Sequence, residues 1–285
     1  MRQIDFMTNP RAFMAQFGAW LRAHPAEHNV ILSMCQMAER MLARGERPDI
    51  RFVAQSEDGE PQVAAVQMPP HNLVLSRFAG EDLSALAARM AEATPSFPAI
   101  VGPSDVAAAF ADHWARITGQ KTVEYMDQII YSLKTVHFPP DIAGSFRLAR
   151  EDEAPLLASW MKAFAEDSLP KAEHLSAEEA LRKTRDRIAQ GSLAVWDVDG
   201  KAVSQAGVSG TDSVARVSLV YTPPEHRGKG YASAVVARLS QQLLEQGREM
   251  CCLYADARNP VSNSIYRKIG YEFVGRSSMY VLAPT

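Results

Sequence analysis

Apolar and polar positions along the chain follow two rhythms, one typical of strands and one typical of helices. Residues 214–221 alternate between apolar and polar side chains, which predicts a strand. Residues 231–246 carry an apolar side chain every three to four positions, which predicts a helix that stops at Gly247. A proline pair and a basic, glycine-containing turn, residues 226–230, join them. The sequence therefore predicts a strand, a turn and a helix in that order.

The same rhythms predict alternating helices and strands over the whole chain, which indicates an α/β class of fold. The predicted helices are 10–42 (interrupted at Pro25), 81–93, 105–117 after a Ser104 cap, 151–165, 177–189, 231–246 and 260–269. The predicted strands are 51–55, 63–67, 72–78, 99–101, 123–136, 146–149, 193–198, 203–209, 214–221, 250–255 and 273–282, the last being a strand or a pair.

The element order of residues 1–140 returns after a proline- and glycine-containing boundary that ends near Gly144. The hairpin signal Asp58-Gly59 is repeated at Asp199-Gly200. Aligning Gly119 with Gly270 brings the final strands of both halves into correspondence. We therefore interpret the chain as an internal repeat of one α/β unit, with domains at 1–140 and 145–285; the alternative is that the first half is an unrelated α/β domain.

The basic turn, at a helix N-terminus, suits a phosphate or pyrophosphate, because backbone N–H groups and the helix dipole both favour an anion there. A Walker A loop needs Ser or Thr after its Gly-Lys pair, but Lys229 is followed by Gly230. A dinucleotide fingerprint that starts at Gly228 would end on Ser233, where a glycine or alanine is needed. Neither of these two phosphate motifs fits.

A third motif does fit. Arg227, Gly230 and Ala232 match Arg/Gln-x-x-Gly-x-Gly/Ala, the pyrophosphate loop of the GNAT superfamily of acyl-CoA-dependent N-acyltransferases. Downstream, Asn259 precedes Tyr266 by seven residues, and Gly-Tyr follows at 270–271, which resembles the second motif of that superfamily. The resemblance covers roughly residues 145–282.

The resemblance implies tandem GNAT-like domains, each a central, mostly antiparallel sheet flanked by helices, with acetyl-CoA as cosubstrate and no metal. Tyr266 matches the general acid that protonates the departing thiolate. The strand before the loop would pair with the pantetheine arm, and an N–H near Val220 would meet the thioester oxygen. The implied cofactor-binding residues are Leu219, Val220, Tyr221, Arg227, Gly228, Lys229, Gly230, Tyr231, Ala232, Asn259, Ser262 and Asn263.

A base is also needed to take the proton of the attacking amine. Glu166 ends the first helix of the second half, where members of the superfamily often line the substrate site, and we assign it this role. Asp167, which ends the same helix, and His174, Asp212 and Asp256 are the other candidates, and a chain of water molecules would also serve. These acids are alternatively expected to select a cationic substrate by charge.

The first half carries Ala-Gly-Glu-Asp at 79–82, where the second half carries Arg227 and Lys229. Carboxylates there would repel a pyrophosphate, and Ala115 stands opposite Tyr266. The first half is therefore expected to be a degenerate GNAT-like domain without a cofactor site.

Composition limits the partners and the cellular compartment that we expect for this protein. A net charge of −3 provides no positive electrostatic field that would attract nucleic acid. The sequence contains no apolar run long enough to span a membrane, and its N-terminus lacks the apolar core of a signal peptide. Three cysteines without zinc spacing favour a reduced, cytoplasmic setting, with the thiols buried. The expected partner is a small-molecule or peptide amine, and the protein is expected to be a monomer or homodimer. Two alternative functions stay open, a non-catalytic acyl-CoA sensor or interaction module and a nucleotide-binding enzyme.

Overall fold

A computed structural model describes residues 2–93 and 97–283, and they form twelve strands and eight α-helices. The strands are β1 (Arg2–Met7), β2 (Arg51–Glu57), β3 (Glu60–Gln67), β4 (Leu73–Leu75), β5 (Ala99–Pro103), β6 (Thr122–Leu133), β7 (Ser145–Leu148), β8 (Leu193–Val198), β9 (Lys201–Gly210), β10 (Val214–Tyr221), β11 (Met250–Asp256) and β12 (Glu272–Leu282). The helices are α1 (Pro10–Arg22), α2 (Asn29–Ala43), α3 (Ser84–Ala93), α4 (Ser104–Thr118), α5 (Ala154–Ser168), α6 (Ala177–Ala189), α7 (Tyr231–Glu245) and α8 (Pro260–Ile269). Within these described ranges, no helix is both long and apolar enough to cross a bilayer.

The chain divides into two compact units. Unit 1 comprises Met1–Ile130, Ala255–Arg258 and Phe273–Thr285, and unit 2 comprises Tyr131–Tyr254 and Asn259–Glu272. These units share most of their residues with the two expected domains. They differ at the end of the chain. From Phe273 onward, β12 belongs to unit 1, whereas the expected second domain, 145–285, included it.

Both units contain a mixed sheet with the same order of strand directions. In unit 1, β1 to β4 pair antiparallel in sequence order, β4 pairs parallel with β5, and β12 then pairs antiparallel with β5. In unit 2, β7 to β10 pair antiparallel in sequence order, and β10 pairs parallel with β11. The mixed α/β class predicted from the sequence is thus confirmed.

Two local details recur in both units. Asp58-Gly59 and Asp199-Gly200 both form tight hairpin turns in which both residues have positive φ, from 50° to 87°. This geometry explains why Asp-Gly occurs at both, since glycine and aspartate tolerate the left-handed region better than most residues. Gly119 and Gly270 end α4 and α8 in the same left-handed conformation.

The structure departs from the predicted elements in three places. Strand β1 was not predicted, and its alternation is weak because it lies at a sheet edge with most side chains half-buried or exposed. Ser104 lies inside α4 and is not its cap; its hydroxyl accepts a hydrogen bond from Ser278 at 2.9 Å. The strand predicted at 72–78 is only three residues long.

Helices cover both faces of the sheet in unit 1, and each face has its own apolar core. Phe13 and Phe17 of α1 pack with Phe52 of β2 on one face, while Phe110 and Trp114 of α4 pack on the other. The three cysteines are buried and free, as expected, and burial raises the pKa of Cys35, Cys251 and Cys252 to about 12.

An ion-pair network fixes the start of unit 2. The Arg147 guanidinium donates from Nη1 and Nη2 to both oxygens of Glu153, at 2.7 and 2.6 Å, and from Nε to Asp197, at 2.8 Å. Asp197 in turn accepts from the Gly200 N–H in the β8–β9 hairpin. Burial acts to raise the pKa of Glu153, but the hydrogen bonds from Arg147 and from the Arg150 N–H outweigh it and lower that pKa.

We predict that Glu153→Gln lowers the free energy of unfolding at pH 7 by about 2–4 kcal/mol, because it leaves the Arg147 guanidinium incompletely paired. A carboxyl group with a depressed pKa contributes stability above its unfolded pKa, and this contribution is lost as the pH falls through the folded pKa. The difference between wild type and variant should therefore shrink when urea unfolding is repeated below pH 4.5.

Glu151→Gln is the matched control. Glu151 pairs with Arg185 at 3.0 Å, but both side chains are more than half exposed. Surface pairs contribute about 0–1 kcal/mol. Equal losses for the two variants would show that the network does not hold this part of the fold together.

Candidate functional site

Strand β10 contains a bulge. Ser218 pairs with Gly207 of β9, but the next pair joins Tyr221 to Gln205, so β10 has one residue more than its partner. Leu219 sits in the bulge with φ of 52°, in the left-handed region that leucine rarely adopts. Such an extra residue breaks the ladder and turns backbone groups away from the neighbouring strand.

On its other side, β10 separates from β11. Their parallel pairing joins Val214, Ala215 and Arg216 to Met250, Cys251 and Cys252, and it ends there although both strands continue. The C-terminal half of β10 therefore carries backbone groups that β11 does not pair. An extended ligand placed beside this segment would find hydrogen-bonding groups ready to accept it.

The turn after β10 leads into the N-terminus of α7. A short 3-10 turn, Pro224–His226, is followed by Gly228 and Gly230 with φ of 78° and 81°. Gly230 is the N-cap of α7, and no side chain caps the helix; its first turn contains no acidic residue. The first N–H groups of a helix have no partner within the helix. This end of α7 is therefore open to an anion.

Two basic side chains flank the open helix end. Arg227 is exposed, donates from Nε to the Thr222 carbonyl oxygen at 2.9 Å, and lies 5.9 Å from the centre of the Tyr221 ring. Lys229 is exposed as well, while Tyr231 is buried and Ala232 is half-buried at the start of the helix.

Helix α8 begins at a capped end. Asn259 is its N-cap, and Asn259 Oδ1 accepts a hydrogen bond from the Ser262 N–H at 3.1 Å. Asn263 is buried; its Nδ2 donates to the Asn259 carbonyl oxygen and its Oδ1 accepts from the Tyr131 hydroxyl at 3.0 Å. The expected structural role of Asn259 is thus present, and Asn263 uses its amide to join α8 to β6.

Tyr266 lies in an aromatic cluster. It is 8% exposed, and its ring centre lies 6.4 Å from that of Tyr131 and 6.0 Å from that of Tyr271. Burial raises the pKa of Tyr266 to about 12. Tyr271 shares a hydrogen bond with Ser240 at 2.8 Å, whereas the described residues provide none for Tyr266. Its phenol is thus held protonated and ready to donate.

The segment that contains these elements, and the chain as a whole, are similar to known proteins. Residues 202–281, which include β10, the turn, α7 and α8, match the family model of FR47-like proteins. A solved Drosophila protein superposes with a TM-score of 0.71 at 11% identity, over 99% of this chain and 98% of that one. The chain has the GNAT fold. No curated protein matches the sequence significantly.

Two solved bacterial proteins described as GNAT-family acetyltransferases agree with this assignment. The one from Colwellia psychrerythraea has a TM-score of 0.54 at 11% identity, over 99% of this chain and 100% of that one. A GCN5-related N-acetyltransferase from Sphaerobacter thermophilus has a TM-score of 0.54 at 17% identity, over 91% and 92% of the two chains. At these identities the likeness concerns the fold.

Glu166, predicted to be the base, has surroundings that do not suit this role. It lies near the exposed end of α5 and pairs with Lys162, and this hydrogen bond lowers its pKa. A base that takes a proton from an amine works best with a raised pKa. Three other candidates are also engaged: Asp256 with Arg258, Asp212 with Arg248, and His174 Nε2 with the Leu169 carbonyl oxygen at 3.0 Å. Asp167 is exposed.

The structure brings Arg187 and Gln205 to the bulge of this GNAT fold, and sequence reasoning missed both. Arg187 lies on α6 among several exposed charges, so periodicity does not distinguish it. Gln205 is a fully buried polar residue within the apolar run of β9, and this interruption was the one available signal. Among the described residues, no cluster of His, Cys, Asp or Glu is arranged to hold a metal ion.

We predict that the bulge makes position 219 sensitive to branching at Cβ. Leu219→Ile should lower the free energy of unfolding by about 1–2 kcal/mol more than Leu219→Met, because a β-branched residue is strained at positive φ. Both changes nearly conserve volume. Urea unfolding at constant m-value measures the difference.

Leu253→Ile and Leu253→Met form the control pair, since Leu253 is buried on the neighbouring strand β11. There the two variants should differ by less. A Leu219→Ile protein as stable as its methionine counterpart would mean that the left-handed conformation of Leu219 is not maintained.

Proposed function

We propose that the protein is an acetyl-CoA-dependent N-acetyltransferase whose site lies in unit 2. The observation that carries this proposal is the uncapped N-terminus of α7, directly after a bulged strand that has separated from its parallel neighbour. The first feature suits a pyrophosphate, and the second suits an extended arm that pairs with a strand. The acetyltransferases of the same fold support this choice of ligand.

In unit 1, the side chain of Asp82 already occupies the corresponding helix N-terminus, that of α3. Asp82 accepts hydrogen bonds from the Ser84 N–H and hydroxyl, at 2.8 and 2.6 Å, at the start of α3. These bonds, that of the Ser84 hydroxyl first, lower the pKa of Asp82, so it remains a carboxylate. A pyrophosphate would have to displace it against charge repulsion. We therefore propose one acetyl-CoA per chain.

In the proposed reaction, the neutral amine attacks the thioester carbon, a C–N bond forms and the C–S bond breaks. Backbone N–H groups at the bulge, near Val220, stabilise the oxyanion that develops in between. The proton of the amine leaves through water, since Glu166 and the other acids considered are exposed or engaged in ion pairs.

Tyr266 acts in this scheme chiefly as a hydrogen-bond donor to the leaving sulfur. With a pKa of about 12, full transfer of its proton to a thiolate of pKa near 8.5 is uphill by about 5 kcal/mol. A hydrogen bond from the neutral phenol stabilises the thiolate without that transfer.

We predict that calorimetric titration with acetyl-CoA gives one site per chain. Arg227→Glu should weaken binding at least a hundredfold, because it puts a carboxylate beside the phosphates at the helix end. Arg182→Glu on the exposed face of α6 is the control and should bind normally. Absence of acetyl-CoA binding by the wild type would refute the proposed function, and two sites would refute the role assigned to unit 1.

We predict that Tyr266→Phe lowers turnover at least tenfold while acetyl-CoA affinity is kept. Because Tyr266 stays protonated through pH 10, wild type and variant should share the same alkaline limb in their pH–rate profiles. Free thiol released in the presence of an amine panel measures turnover. If the alkaline limb of the pH–rate profile is present in the wild type and absent from Tyr266→Phe, Tyr266 is the acid whose titration produces it.

The alternative is a non-catalytic acyl-CoA-binding module. The observation that favours it is that Glu166 and Asp212, two of the candidate bases, are both engaged in ion pairs. Acetyl-CoA binding without thiol release for any amine of the panel would select this alternative.

A further inference from the structure

One face of the sheet in unit 2 gathers polar side chains beside the bulge. Directly paired residues of an antiparallel ladder point to the same face, and so do residues two apart on one strand. By this register Gln205, Gly207 and Ser218 share a face. Leu219 joins them, because its Cβ lies 3.5 Å from the point where a Cβ would stand on Gly207.

Arg187 of α6 lies over the same glycine. Its Nη1 is 3.4 Å from that Cβ point on Gly207 and donates to the Val208 carbonyl oxygen at 3.2 Å. The guanidinium thus lies next to Leu219, at the bulge where the proposed reaction takes place. Glycine at 207 makes this close approach possible, since a larger side chain would occupy the space.

No carboxylate compensates this charge within the described part of the chain. Burial lowers the pKa of Arg187, and the nearby positive charge of Arg216 lowers it further. Arg147 in the same unit shows the usual arrangement, since it meets two carboxylates. Arg187 is half-buried, and its single hydrogen bond to a carbonyl oxygen leaves most of the guanidinium donors available.

Gln205 provides an independent observation. It is 0% exposed, and neither its Oε1 nor its Nε2 has a hydrogen-bond partner among the described residues. Buried polar groups are nearly always paired, and leaving one unpaired is costly. Gln205 shares its face with Gly207, two residues away, and Arg187 lies over that glycine.

We propose that Arg187, together with Gln205 and the positive field of Arg216, binds a carboxylate carried by the amine substrate. The inference rests on the proposed function and deepens it, because it makes the acceptor an amino acid or a similar amino-carboxylate. An arginine recognises a carboxylate with two parallel hydrogen bonds, and the Gln205 amide adds a further donor. The short distance from guanidinium to bulge requires that the carboxylate and the amine be only a few bonds apart.

The test compares the twenty common L-amino acids with their α-carboxamides, which keep the amine and lose the charge. Both sets are titrated calorimetrically into the protein, with and without saturating CoA, and thiol release from acetyl-CoA is followed in parallel. We expect at least one amino acid to bind and react, with its carboxamide at least tenfold weaker in KM. Carboxamides as effective as the acids, or no amino acid bound, would overturn the proposal.

Arg187→Met and Arg187→Lys locate the effect. We expect methionine to raise KM for the amino acid at least tenfold while KM for the carboxamide and acetyl-CoA affinity stay unchanged; lysine should restore part of the loss. The melting temperature of Arg187→Met should stay equal or rise, because an uncompensated charge is removed. Arg182→Met on the same helix is the control and should resemble the wild type.

The outcomes separate this inference from the proposed function. Loss of acetyl-CoA binding by the wild type refutes the proposed function, while amino-acid binding can still be measured directly. Acetyl-CoA binding with equal use of acids and carboxamides refutes only the carboxylate site. An Arg187→Met protein that melts lower and loses both substrates equally would show that Arg187 is structural and would overturn the proposal.

Discussion

The proposed site depends on a mismatch in backbone hydrogen bonding along one strand. β10 pairs with β9 through a register that the bulge interrupts, and with β11 over three residues only. Backbone groups in this segment need partners from outside the sheet, and the same strand then delivers the chain to the uncapped start of α7. In the proposed site, this one irregular strand supplies the pairing groups for an extended ligand, and the uncapped helix end follows directly after it.

The two units use the same strand order, but their helix ends differ. In unit 1, the carboxylate of Asp82 satisfies donors at the start of α3. In unit 2, Gly230 occupies the cap and brings no side chain. A self-capped helix is locally satisfied, whereas an uncapped one keeps donors for a ligand. The two units thus share a strand order, while the proposed binding site uses a helix end that is uncapped in unit 2 alone.

Unit 2 contains two arginines in contrasting surroundings. Arg147 is matched by Glu153 and Asp197 and joins the first strand to the β8–β9 hairpin. Arg187 donates to one carbonyl oxygen and lies over Gly207, on the face that carries Gln205, whose amide is buried with no hydrogen-bond partner among the described residues. Satisfied charges hold a fold together, and unsatisfied ones are retained at a cost that a ligand can offset. This contrast distinguishes a structural ion pair from a candidate binding group.

The sequence alone determined most of the elements of this protein and their order, because periodicity and turn chemistry are local. The α8 bounds, both Asp-Gly turns, the glycines that end α4 and α8, and the GNAT motifs were readable from neighbouring residues. Tertiary structure decided the rest. The pairing of β12 with β5, the bulge at Leu219, and the approach of Arg187 to Gly207 join residues far apart in the chain. Glu166 matched its expected place on a helix, but its ion pair with Lys162 appears only when side chains are placed. Pairing and charge compensation are properties of neighbours in space, and a one-dimensional pattern does not contain them.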